Sequence, residues 1–154
     1  MLRAVLDACL VDGWGTATVD SVTISGGIAT VTRAAGIPFE PQTVALLSGA
    51  TVSGTGTING EQTVLTTTAS SYTFATTATG TVSGTVQHKF APLGWNRATP
   101  GTNTAAYQMT GSGGTGFWLR LDDTGAKTAR VVGYESMSDV NTGTNAFPTN
   151  LQFS

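Results

Sequence analysis

The chain has 154 residues, a formal charge of −2 and only 10% charged side chains, against roughly 25% in ordinary soluble domains. Seven basic residues against nine acidic ones leave no electrostatic footprint for nucleic acid or anionic lipid. The apolar stretches are too short to span a bilayer, no signal peptide is evident, and a lone Cys9 excludes an internal disulfide or a multi-thiolate metal site. Threonine and glycine fill the space left by charge, with 29 and 20 residues. Three Trp, three Tyr and six Phe argue against disorder. Thr carries a branched Cβ that suits a pleated, half-wet surface, so the composition predicts a mainly β protein with Thr-lined faces. Such a surface costs little to desolvate, which favours a chain that works against other protein.

Residues 1–11 hold the clearest helical signal. Leu2, Val5, Leu6, Cys9 and Leu10 follow the spacing of one apolar stripe, with Arg3 and Asp7 four apart on another face. Gly13 and Gly15 flank Trp14 and stop the helix. So short a helix needs a docking surface, either the rest of the chain or a neighbouring subunit.

Residues 19–33 read as a hairpin. Gly26-Gly27 supplies the two-residue turn, which pairs Ile24 with Ala29, Val22 with Val31 and Asp20 with Arg33. Ser21 and Thr23 then oppose Thr32 and Thr30 on the other face. Further strands are predicted at Thr43–Leu47, Gln62–Thr67, Ser71–Ala75 and Thr81–Gln87, a spacing that suggests a small antiparallel barrel or sandwich. From Lys89 the composition changes: Phe90, Pro92, Trp95, Arg97 and Pro100 form an aromatic, Pro-interrupted joint. These shifts predict an inserted barrel-like module at 19–88, within a discontinuous core built from 1–18 and 89–154.

The last third carries a second hairpin. Phe117, Leu119 and Leu121 alternate with Trp118 and Arg120, Asp122-Asp123-Thr124-Gly125 forms the turn, and Thr128–Tyr134 returns. Glu135–Asn141 reads as a helical turn or a loop, and Gly143 to Pro148 as irregular.

Catalytic patterns are weak. His88 is the only histidine and sits at a predicted strand end, while Cys9 lies on an apolar helix stripe, where a core thiol is the simpler reading. No G-x-S-x-G elbow occurs, and a zinc site would need His88 plus scattered carboxylates. The glycine run 111–116 lacks the Lys-Ser/Thr of a phosphate loop and leads into a strand. Asp122 and Asp123, with Glu135 and Asp139 further on, form the one acidic cluster. Turn and salt-bridge roles with Arg120 or Arg130 are expected there, ahead of a cation or a glycosidase pair. Trp14 and Trp95 are expected to pack against each other where the chain leaves and re-enters its core, the alternative being a sugar-stacking platform with Trp118. The Thr-x-Thr pairs at 16/18, 55/57, 102/104 and 142/144 are too irregularly spaced for an ice-binding solenoid.

Three segments, LRAVLDACLVDGWG, FAPLGWNRATPGTNTAAYQM and FWLRLDDTGAKTARVVGYESMSDVNTGTNAFP, resemble a family of small tailed-bacteriophage virion structural proteins. The segments SVTISGGIATVTRAAGIPFEPQTVALLSGAT and NGEQTVLTTTASSYTFA resemble the β-barrel inserts of phage head and tail proteins, with Ile37-Pro38-Phe39-Glu40 less polar than usual there. The resemblance implies a non-enzymatic virion component without cofactor, nucleic-acid partner or membrane. It implies a head decoration or minor capsid protein, or else a tail-associated one, made in the host cytoplasm and docking on major capsid or tail subunits as a symmetric homo-oligomer. A carbohydrate-binding module using Trp118 or Tyr72 is the alternative. The expected core and contact residues are Leu2, Leu6, Leu10, Trp14, Trp95, Trp118, Arg120, Asp122 and Tyr134.

Overall fold

The structure, a computed structural model, describes residues 2–111, 113–125 and 128–147. The protein is mainly β, with one short N-terminal helix. Its chain divides into two compact units, Trp14–Ala91 and Met1–Gly13 with Pro92–Ser154. The boundaries lie a few residues outside 19–88 because the strand that opens the insert pairs along the strand that closes it.

The module 14–91 contains β1 (Trp14–Thr18), β2 (Ser21–Ser25), β3 (Ile28–Thr32), β4 (Val44–Ser48), β5 (Thr51–Val52), β6 (Gly60–Thr63), β7 (Thr66–Thr67), β8 (Ser71–Ala75), β9 (Val82–Ser83) and β10 (Gln87–Phe90). They form two four-stranded antiparallel sheets, ordered β1-β10-β4-β6 and β2-β3-β8-β7, and a ribbon β5-β9. The two sheets share one core. Val22, Ala29, Val31, Tyr72 and Phe74 come from one, Ala45 and Leu47 from the other, and Phe39, Ile58, Val64 and Val86 fill between. This is an open sandwich, not a closed barrel, and its edge strands remain edges.

The β2–β3 hairpin has the register expected from its Gly-Gly turn, with Val22 opposite Val31 and Thr23 opposite Thr30. Gly26 and Gly27 take φ of 58° and 79°, the left-handed pair that a tight hairpin requires. The cross-strand ion pair expected at its end is replaced by backbone contacts. Asp20 accepts from the Ala34 amide at 2.6 Å, and Arg33 donates to the Gly36 carbonyl at 2.6 Å.

Two expected strands are each split in two. Residues 62–67 pass from one sheet to the other: the Val64 amide donates to Thr43 of the first layer, and the next amide, Leu65, donates to Thr73 of the second. Val64 is wholly buried at this corner. Residues 81–87 likewise divide into β9 and β10. A sandwich needs such corners, and a period-two pattern reads straight through them.

The second unit begins with α1 (Leu2–Leu6), which widens into a π-helical segment, Asp7–Asp12. It continues with β11 (Asn96–Pro100), β12 (Thr104–Gln108), β13 (Trp118–Asp122) and β14 (Arg130–Tyr134), an antiparallel meander in chain order, and a small hairpin of β15 (Ser136–Met137) and β16 (Gly143–Thr144). Leu10, Ala105, Tyr107 and Leu121 form the core, with Leu6, Val11, Trp95 and Leu119 against it. The expected apolar stripe is only partly buried: Leu2 and Val5 are exposed. The widened segment carries more residues per turn, so one regular stripe does not stay on one face.

The β13–β14 hairpin pairs Trp118 with Tyr134, Arg120 with Val132 and Asp122 with Arg130. The hairpin β11–β12 was hidden in the Pro-rich joint; Pro100 is tolerated because it ends an edge strand. The stretch expected to be a helical turn or loop and then irregular holds β15 and β16, and Phe147 bridges to Gly133. Position 112 of the glycine loop, positions 126–127 of the second hairpin, and Pro148 lie outside the described residues.

Candidate functional site

Alternation along β3 and β8 buries every second residue, β2 buries Val22 and half-buries Ile24, β7 half-buries Thr67, and the other positions turn outward. The outward positions line up across the sheet. Thr23, Thr30, Thr73 and Thr66 form one row, and Ser21, Thr32 and Ser71 the next. Thr66 and Thr73 hydroxyls lie 2.7 Å apart, and Thr68 reaches Ser71 at 2.8 Å. None of the outward positions on these four strands is charged. The β5–β9 ribbon extends the pattern, pairing Ser53 with Thr81 at 3.0 Å and Thr55 with Thr79 at 2.9 Å. The Thr23/Thr30 part of this face follows from the first hairpin; the remaining rows depend on which distant strands pair.

In the second unit an acidic side chain ties helix to sheet. Asp7 accepts from the buried Tyr107 hydroxyl at 2.8 Å and from Arg97 Nη1 at 2.8 Å, with Arg3 Nε at 3.7 Å. Burial, then the bond to Asp7, raises the Tyr107 phenol above its ordinary range, and the same carboxylate raises Arg97. Arg3 also donates to the Gly101 and Thr102 carbonyls. The i, i+4 pair Arg3–Asp7 was readable from sequence; Tyr107 and Arg97 were not, being about a hundred residues away.

The expected contact residues fall into separate places. Leu10 and Leu6 pack into the unit's core, as does Trp95, whose amide donates to the Leu10 carbonyl at 2.9 Å. Trp14 is 45% exposed and stacks on Phe90, ring centroids 4.7 Å apart. Each Trp thus has a packing site within its own unit, Trp14 on β10 of the sandwich and Trp95 against the helical segment. Trp118, Arg120 and Tyr134 share one face of the β13–β14 pair. Residues 135–144 return across it: Arg120 donates to the Val140 carbonyl at 2.6 Å and to Asn141 Oδ1 at 3.1 Å. Gly143 lies so close to the Tyr134 ring that an added Cβ would sit 2.6 Å from it.

The acidic cluster serves turns. Asp122 accepts from the Thr124 hydroxyl at 2.7 Å and from Arg120 at 3.3 Å. Asp139 accepts from the Asn141 and Thr142 amides, and Glu135 from Asn145. The Thr124 hydroxyl holds the Asp122 carboxyl below the usual range, and the Asn141 amide does so for Asp139. A glycosidase acid needs the opposite shift. Among the described residues no three of His, Cys, Asp and Glu gather as a metal site, and no helix is long and apolar enough to cross a membrane. Tyr72, offered above as a sugar platform, is wholly buried and cannot stack on a ligand.

The fold is therefore an open antiparallel sandwich inserted after a short helix and ahead of a four-stranded meander. No protein-family model matches the chain, and neither a curated protein nor a solved structure is significantly similar to it.

Proposed function

We propose that the chain is a non-enzymatic structural component of a tailed-phage virion, a decoration or minor capsid protein that docks on other virion subunits from the head surface. The observation that carries this reading is the uncharged hydroxyl face of β2-β3-β8-β7, with its two cross-strand rows. Threonine and serine hydroxyls exchange water for a partner's polar groups at little cost, whereas charged side chains are depleted from interface cores. Many weak contacts repeated by particle symmetry sum to firm attachment. Residues 2–15 and 117–148, which resemble phage virion structural proteins, support the same reading.

The test is an inventory of purified particles of the encoding phage by mass spectrometry, with co-sedimentation of the purified chain. The expected result is a stoichiometric virion protein, which a reconstruction of the particle locates on the head; density along the tail would move it to the tail-associated alternative. Absence from the particle together with failure to co-sediment overturns the reading.

A further inference from the structure

His88 lies in the middle of the sandwich core and is 1% exposed. On β10 it stands opposite Ala17 of β1 and Leu47 of β4. The Phe39 ring meets it edge-on at 5.0 Å, and the Tyr72 ring of β8 lies at 5.7 Å. Neither imidazole nitrogen has a hydrogen-bond partner among the described residues, nor does the Tyr72 hydroxyl. A neutral imidazole leaves one donor and one acceptor unpaired there; an imidazolium would present two donors and a full charge to an aromatic core.

We propose that the module 14–91 contains an acid trigger, in which protonation of His88 drives β10 from between β1 and β4 and opens the sandwich. Burial and the one nearby charge that acts on the ring both favour its neutral form. Arg33, after β3, contributes a like-charge field, and Tyr72 is held as the neutral phenol by its burial. The residues of β1 and β4 include no titratable side chain. Glu40, next to Phe39, is exposed, and Lys89 alternates to the opposite face of β10. Burial first, then Arg33, pushes His88 from its ordinary 6.5 down to about 4.

The sign follows from linkage. The unfolded chain takes up the proton first, so the stability is intact above pH 6.5, falls between 6.5 and about 4, and then levels off. Across that window the unfolding equilibrium constant of the module rises by about 300-fold from this one group. Opening β10 would uncover the apolar inner faces around Leu47, Val31 and Phe74.

Because His88 is the chain's only histidine, its ring signals need no assignment by mutation. The experiment records the imidazole by NMR and the denaturant unfolding midpoint of the whole chain from pH 8 to 3.5, for wild type and His88→Phe. The expected result is a ring that stays neutral in the folded protein to about pH 5, with a wild-type stability loss below pH 6.5 that the variant lacks. A ring that titrates near 6.5 while the sandwich remains folded overturns the proposal, as does equal acid loss in both proteins. If the variant does not fold, the wild-type ring titration decides alone.

Discussion

Gly54 lies where the β5–β9 ribbon is tightest, and its replacement by alanine should open that ribbon. A Cβ built there sits 2.1 Å from the Thr79 carbonyl oxygen and 2.8 Å from its carbon, where real contacts stay beyond 3.0 Å. The obstacle is backbone, so no side chain can swing aside; the strands must part by about 0.9 Å. Two backbone bonds cross at this level, Ser53 to Thr81 at 3.0 Å and Thr79 to Thr55 at 2.9 Å, with the Thr55–Thr79 hydroxyl contact beside them. Stretched by that much, they cease to be hydrogen bonds. At about 1 kcal/mol net each the loss is about 3 kcal/mol, offset by up to about 1 kcal/mol from the stiffer unfolded chain. A net destabilisation of about 2 kcal/mol in Gly54→Ala is expected from urea unfolding, with faster amide exchange at Ser53 and Thr79. Gly111→Ala is the control, since a Cβ there meets nothing within 4 Å. A Gly54→Ala protein within 0.5 kcal/mol of wild type, with Thr79 still protected, would refute the steric reasoning.

Tyr107→Phe removes the hydroxyl that anchors Asp7 while keeping the buried ring, and should cost about 1–3 kcal/mol in urea unfolding. Phe74→Ala, at a wholly buried site of the sandwich core, should cost about 3–5 kcal/mol by the same measurement. Thr23→Glu with Thr66→Lys places charge on the exposed ends of the hydroxyl row. It should leave unfolding within about 1 kcal/mol of wild type while abolishing the co-sedimentation with virions that the proposed function expects, and co-sedimentation unchanged from wild type would refute docking through that face.

Local pattern carried some elements in full. The Gly26-Gly27 turn specified a register because a two-residue hairpin leaves one pairing, and the alternation around Leu119 and Leu121 specified the second hairpin. The hairpin β11–β12 escaped because Pro92 and Pro100 mimic loop punctuation, and Ala105–Tyr107, all buried, shows no alternation. The helix was visible, but its widening at Asp7–Asp12 was not, so Leu2 and Val5 were assigned to a face they do not share with Leu10. The resemblance of residues 2–15 and 117–148 to phage virion proteins is the source of the proposed function, and the hydroxyl face is the surface proposed for it.

By itself the sequence determined a mainly β chain, a short N-terminal helix, two hairpins and a Thr-rich, charge-poor composition, because these follow from periodicity and residue content within a few residues. The tertiary structure alone decided that Thr23, Thr30, Thr73 and Thr66 form one row, that Asp7 holds Tyr107 and Arg97, and that His88 is sealed between Phe39 and Tyr72. Each joins residues from separate strands or segments, and strand pairing across such distances is selected by how the whole core packs, which no local stretch of sequence encodes.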